Sequence, residues 1–238
     1  MSGFHVTEER KDELAANLAE VRKRIEAACA AAGRDADEIT LVAVTKTFPA
    51  SDVRLLSELG VADVAENRDQ DAAPKAAACE DLPLTWHFVG QLQTNKVRSV
   101  ASYADVVQSV DRSKLVAALD RAAGRAGRRL RCLVQMSLDE REGRGGAAPG
   151  DVLALADEIA AAGHLELDGV MAVAPLGGDP AEAFARLARI AAEVRESHPA
   201  ARVVSAGMSG DLEPAITCGA THVRVGTALL GGRRAIVR

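Results

Sequence analysis

Aromatic residues are scarce, with one Trp, one Tyr and four Phe in 238 residues. So thin a supply leaves few platforms on which bases could stack, and a net charge of −5 offers no attraction for a phosphate backbone. Nucleic acid is therefore not expected as a partner. Long apolar runs are also missing. Stretches such as residues 41–44 stop far short of the ~18–20 residues that span a bilayer. The opening ten residues, with His5, Glu8, Glu9 and Arg10, carry neither the apolar core nor the small-residue cleavage pattern of a secretion signal. A cytoplasmic protein without a membrane partner is the expectation. Cys29, Cys79, Cys132 and Cys218 lie far apart and form no Cys-x-x-Cys pair. They read as reduced, structural thiols, with no zinc site and no disulfide framework.

What is present is core-forming material, since 48% of the residues are hydrophobic and 20 more are glycine. Barrels of about 250 residues fold as single domains, so residues 1–238 are expected to form one. Leu14, Leu18, Val21 and Ile25 recur at helical spacing before Gly33 and predict an amphipathic opening helix. Eight apolar runs follow, at residues 40–46, 62–66, 85–90, 104–109, 129–138, 167–173, 202–206 and 221–225. Helix-like stretches separate them at 51–59, 67–78, 95–101, 113–126, 149–162, 180–197 and 209–218, with 141–150 as a strand-to-helix loop. Runs such as Leu41-Val42-Ala43-Val44 do not alternate with polar residues, as suits parallel strands covered on both faces. Eight such units predict an α/β fold of the (β/α)8 TIM-barrel type with an extra N-terminal helix. An open doubly wound sheet is the alternative, although the first unit lacks the Gly-x-Gly-x-x-Gly turn of its dinucleotide-binding version.

Barrel chemistry is built where strands end in polar residues. Lys46 closes the first run, and an amine held there against apolar walls would be a nucleophile able to form an imine with an aldehyde. A solvated lysine is the plainer alternative. Glu66 and Asn67 close the second run, where they could orient a ligand hydroxyl and a lysine, or Asn67 could cap a helix. His87 lies in Trp86-His87-Phe88-Val89-Gly90 and reads either as a ligand contact or as a hydrogen-bonded core residue. The seventh run ends in Gly207-Met208-Ser209-Gly210-Asp211 and the eighth in Arg224-Val225-Gly226-Thr227. Small residues, helix-start amides and a guanidinium at these two places point to a phosphate site. An amine and a phosphate cup on one barrel face suit a phosphorylated aldehyde, either pyridoxal 5′-phosphate (PLP) or the substrate of a phosphosugar aldolase.

The ordered motifs Leu41-Val42-Ala43-Val44-Thr45-Lys46-Thr47, Glu66-Asn67, Trp86-His87-Phe88-Val89-Gly90-Gln91-Leu92-Gln93 with Asn95-Lys96, Ser109-Val110-Asp111, Gly207-Met208-Ser209-Gly210-Asp211 and Val223-Arg224-Val225-Gly226-Thr227 cover nearly the whole chain after the opening helix. In them the chain resembles the pyridoxal phosphate homeostasis proteins, relatives of the N-terminal barrel domain of alanine racemase. The resemblance implies PLP held as an imine on Lys46, with its phosphate near Ser209, Gly226 and Thr227. It places Arg224 at the ring nitrogen, Asn67 at the phenolic oxygen, and His87 and Met208 close to the ring. It also implies a non-catalytic role in PLP homeostasis, with PLP-dependent apo-enzymes as candidate recipients. Arg68 and Ala206 depart from the family's usual Tyr and Met, and Arg68 removes an aromatic ring beside the site.

An amino-acid racemase is the competing function. An arginine facing the ring nitrogen cannot accept its proton, which weakens carbanion stabilisation, although racemases tolerate an arginine there. Racemases of this resemblance draw a tyrosine base from a second domain, whereas this sequence ends at Arg238, and its one tyrosine, Tyr103, precedes the fourth run at the opposite end of the barrel. The same reasoning makes a monomer the expectation.

Overall fold

Eight parallel strands close on themselves in chain order, β1 pairing with both β2 and β8. They are β1 (Thr40–Val44), β2 (Asp63–Glu66), β3 (Thr85–Phe88), β4 (Val106–Val110), β5 (Leu130–Gln135), β6 (Leu165–Met171), β7 (Val203–Ser205) and β8 (His222–Val225). The structure is a computed structural model that describes residues 2–139 and 145–232, with side chains from Thr7 onward. Helix α1 (Ser2–Ala32) precedes the barrel, and α2 (Ala50–Glu58), α3 (Asp69–Ala77), α4 (Val97–Tyr103), α5 (Ser113–Ala126), α6 (Val152–Ala161), α7 (Pro180–Ser197), α8 (Leu212–Thr217) and α9 (Thr227–Leu230) follow successive strands. The expected barrel with its N-terminal helix is therefore the observed fold.

Two apolar clusters fill the layer between strands and helices. One joins α1 and α2 to β1, β2 and β8, through residues such as Leu14, Val21, Leu56, Val64 and Val223. The other joins α4 to α7 with β4, β5 and β6. The regular apolar stripe of α1, Leu14, Leu18, Val21 and Ile25, is the face it buries. Each of these four side chains removed from water contributes roughly 1.5–3 kcal/mol. No helix among the described residues is long and apolar enough to cross a membrane. All four cysteines are free thiols, three of them buried.

Several boundaries differ from the sequence expectation. Strand β1 ends at Val44 rather than at residue 46, because a turn begins at Thr45. Strand β6 begins two residues earlier than expected, at Leu165, and its pairing with β5 shifts register between Cys132 and Leu133. Helix α3 begins at Asp69 with Arg68 in the cap position, so Asn67 does not cap it. Helix α8 begins at Leu212, leaving residues 209–211 in a tight turn, and α9 had no counterpart in the sequence reading. Of the expected loop at 141–150, residues 141–144 lie outside the described residues.

Candidate active site

The barrel interior is crossed by one chain of hydrogen bonds. Asp63 Oδ1 meets His87 Nε2 at 2.8 Å, and Gln108 Nε2 meets His87 Nδ1 at 2.9 Å. Ser205 Oγ donates to Gln108 Oε1 at 2.7 Å and accepts from Arg224 Nη1 at 2.7 Å, while Arg224 Nη2 donates to the Ala172 carbonyl at 2.8 Å. A donor from Gln108 leaves His87 Nδ1 as an acceptor, so its Nε2 carries the proton toward Asp63. Thus both nitrogens of His87 are engaged, and the ring is buried as the hydrogen-bonded core residue that was one of its two readings. Arg224 is also buried, which pulls its guanidinium down to about 10, still charged at neutral pH.

At the mouth, Lys46 stands exposed just past β1, not walled in by apolar groups as the sequence suggested. Its neighbour Thr45 takes the buried position instead, and the Thr45 carbonyl accepts from Phe48 N–H at 3.1 Å to close a turn around Lys46 and Thr47. Thr47 has φ 70°, the only positive φ of a non-glycine among the described residues. A β-branched side chain rarely adopts that conformation, and such strain gathers at functional sites.

Glu66 does orient a lysine, but the lysine is Lys75 of α3, which sequence reasoning missed. Lys75 Nζ donates to Glu66 Oε1 and, at 2.8 Å, to the Thr45 carbonyl. Asn67 is half-buried beside Gly90, where an added Cβ would fall 1.9 Å from the Asn67 carbonyl oxygen. Gly90 therefore lets β3 pass the end of β2.

The ends of β7 and β8 form one cup. Ser209 Oγ accepts from Ala228 N–H at 3.1 Å, tying the turn after β7 to the first residues of α9. The N–H groups of Ser209, Gly210, Gly226 and Thr227 meet no acceptor among the described residues. Gly207, at φ 89°, could not carry a side chain, because its Cβ would lie 2.7 Å from that of Ala215. From outside, Arg24 of α1 donates to the Ser209 carbonyl at 2.9 Å and pairs with Glu213 at 2.7 Å. Met208 is exposed on the rim. Because β1 pairs with β8, an ideal Cβ on Gly226 would sit 3.4 Å from the Val44 carbonyl, so the cup lies directly beside the strand end that carries Lys46.

The amine, the amide cup and the buried guanidinium expected from the sequence thus gather at one end of the barrel, together with Asn67 and Met208. Arg68 is exposed and 3.7 Å from Asp71, whereas Ala206 is buried in the wall. Tyr103 ends α4 in the outer layer, its hydroxyl without a hydrogen-bond partner among the described residues and pushed well above its ordinary range by burial, then by the nearby Asp69. No three His, Cys, Asp or Glu side chains among the described residues cluster as a metal site.

Residues 10–234 match the family described as alanine racemase, N-terminal domain. A curated relative in Mycobacterium leprae, named pyridoxal phosphate homeostasis protein, is 46% identical over 95% of this chain and 95% of its own. PipY of Synechococcus elongatus PCC7942, in a structure with PLP bound, is 35% identical with a TM-score of 0.80, covering 92% of this chain and 100% of its own. An alanine racemase from Streptomyces coelicolor A3(2) shares the fold at 20% identity and a TM-score of 0.72, over 94% of this chain and 59% of its own. With the relatives aligned along nearly its full length and the barrel in common, this chain belongs to the pyridoxal phosphate homeostasis protein family, built on the alanine racemase N-terminal barrel.

Proposed function

We propose that this chain binds PLP at the C-terminal mouth of the barrel, holds it as an imine on Lys46, and serves PLP homeostasis without turning over an amino acid. The observation that carries the reading is the adjacency of an exposed lysine on a strained turn and an amide cup across the β1–β8 seam. An aldehyde at one end and a phosphate at the other suit that pair of features. The relative PipY, solved with PLP bound, supports the same ligand.

In this reading Ser209, Gly226 and Thr227 hold the phosphate through amides and hydroxyls. Arg224 faces the ring nitrogen, Asn67 the phenolic oxygen, and Met208 borders the ring from the rim. His87 contributes through the interior chain that fixes Arg224. When bound, PLP supplies an aldehyde and an electron-accepting ring. The protein side offers carbanion chemistry less stabilisation, because a guanidinium cannot take the ring proton and this one is fixed by Ser205 and the Ala172 carbonyl. Tyr103, the tyrosine a racemase reading would need as a base, is half-buried in the outer layer of helices at the end of α4. Buffering of free PLP, or its delivery to PLP-dependent apo-enzymes, is the corresponding cellular role.

Titration of PLP-free protein with PLP tests the reading. A saturable visible imine band at one equivalent, with no interconversion of L- and D-alanine by the loaded protein, is expected. Absence of the band contradicts binding, and alanine turnover contradicts the non-catalytic role.

A further inference from the structure

We infer that Lys75, acting with Glu66, is a positioning residue for Lys46: it clamps from beneath the strained turn on which the amine stands. The inference rests on the reading of Lys46 as the cofactor's amine. Lys46 and Thr47 occupy the two central places of a turn closed by the bond from Phe48 N–H to the Thr45 carbonyl. With φ 70° at Thr47, the second central place, the backbone follows a type II pattern, which ordinarily calls for glycine there. Threonine in that place persists only where its surroundings over-determine the backbone.

Those surroundings are a buried ionic knot. The Thr45 carbonyl that closes the turn also accepts from Lys75 Nζ at 2.8 Å. Lys75 is paired with Glu66 Oε1, and Thr45 Oγ1 donates to that same oxygen at 2.6 Å. Thr45, Glu66 and Lys75 are 0%, 0% and 8% exposed. Thus both the carbonyl and the side chain of the residue before Lys46 are fixed by a carboxylate at the end of β2 and an ammonium from α3. A buried ion pair is weak evidence for stability, since apolar replacements of similar volume often serve as well. Its placement accounts for it here: it acts on the one strained turn that presents the amine, and neither charged group is exposed at the mouth. Fixing the backbone removes freedom that Lys46 would otherwise lose on condensing with an aldehyde.

The test uses Lys75→Met and, because a lone Glu66 carboxylate could unfold the single variant, the double variant Glu66→Gln/Lys75→Met. In PLP-free protein, hydrogen exchange of the Phe48 amide reports the turn directly. In the presence of PLP, the imine band and the borohydride-trapped adduct at Lys46 report the amine, and pyridoxine 5′-phosphate, which lacks an aldehyde, reports the cup alone. The expected result is Phe48 exchange and imine dissociation each faster by about tenfold, with pyridoxine 5′-phosphate affinity within about twofold of the parent. A merely structural role would weaken the aldehyde and alcohol ligands together, which overturns the inference, as does a folded double variant that matches the parent in exchange and imine formation. A parent with no adduct at Lys46 overturns the functional reading and the inference with it.

Discussion

Arg224 Nη1 donates to Ser205 Oγ at 2.7 Å, and through that hydroxyl the guanidinium is tied to Gln108 and on to His87. The hydroxyl does two jobs at once, accepting from the cation and donating to the amide. This makes Arg224 a fixed cation, unlike a mobile surface arginine, and explains why a barrel interior that could have been apolar carries a polar string instead.

Ser205→Ala should therefore cost more than its size suggests. It leaves Gln108 Oε1 and one Arg224 N–H buried without that partner, a penalty of about 1–3 kcal/mol. Urea unfolding should show a lower midpoint with an unchanged slope, and a midpoint equal to the parent's would show that the string tolerates the loss.

Ser209→Ala removes the acceptor of the Ala228 N–H bond and a hydroxyl of the cup. PLP retention should weaken by about tenfold, the equivalent of one modest hydrogen bond, while the absorbance maximum stays put because the conjugated system is untouched. Equilibrium dialysis beside the spectrum separates the two effects, and unaltered retention would take Ser209 out of the phosphate site.

Gly90→Ala drives a methyl to within 1.9 Å of the Asn67 carbonyl oxygen, so backbone must move. A loss of about 1–3 kcal/mol is expected, with weaker PLP binding as Asn67 shifts. Thermal melts and a PLP titration check both, and a variant as stable as the parent would show that the two loops slide apart freely.

The end of the barrel interior away from the mouth sets a pH dependence. Burial pushes the Asp168 carboxyl up to about 6, against Arg131, while burial first and His87 second bring His222 down to about 4. Asp168 favours its protonated form in the fold, so its contribution is complete below its ordinary 3.8 and is lost as the pH rises toward 6. His222 favours its neutral form, so its contribution is complete above 6.5 and is lost as the pH falls toward 4. The two effects oppose each other over one window. In Asp168→Asn only the histidine's effect survives, so the Tm of the variant minus that of the parent should grow from pH 4 to pH 6.5. A difference that stays constant would remove Asp168 from the balance.

The fold was legible where local chemistry marks an end. Helices α5 and α7 fall at their expected limits, α5 because Gly127 takes the left-handed conformation after it and α7 because Asp179 caps a helix that starts with Pro180. Helices α3, α4 and α8 begin two, two and three residues later than expected, none with a side-chain cap, although α5 begins at its expected residue without one as well. The mouth was legible through its chemistry-bearing residues, Lys46, Ser209 and Arg224, each at or just past the end of an apolar run. Lys75 was not, since a lysine in a helical stretch reads as solvated and only the fold brings it under Thr45. Gln108 and Asp63 gave one faint sign, a polar residue within or at the start of a buried run, but which side chains they meet depends on barrel closure. The turn at Thr47 gave none, because nothing in its sequence announces a positive φ.

The central claim is that Lys46 holds PLP at this mouth, and borohydride reduction of the PLP-loaded protein followed by peptide mass mapping tests it most directly. The account predicts loss of the visible imine band and a pyridoxyl adduct on Lys46, absent from a folded Lys46→Ala variant. An adduct on another lysine, or the same band in Lys46→Ala, would contradict it.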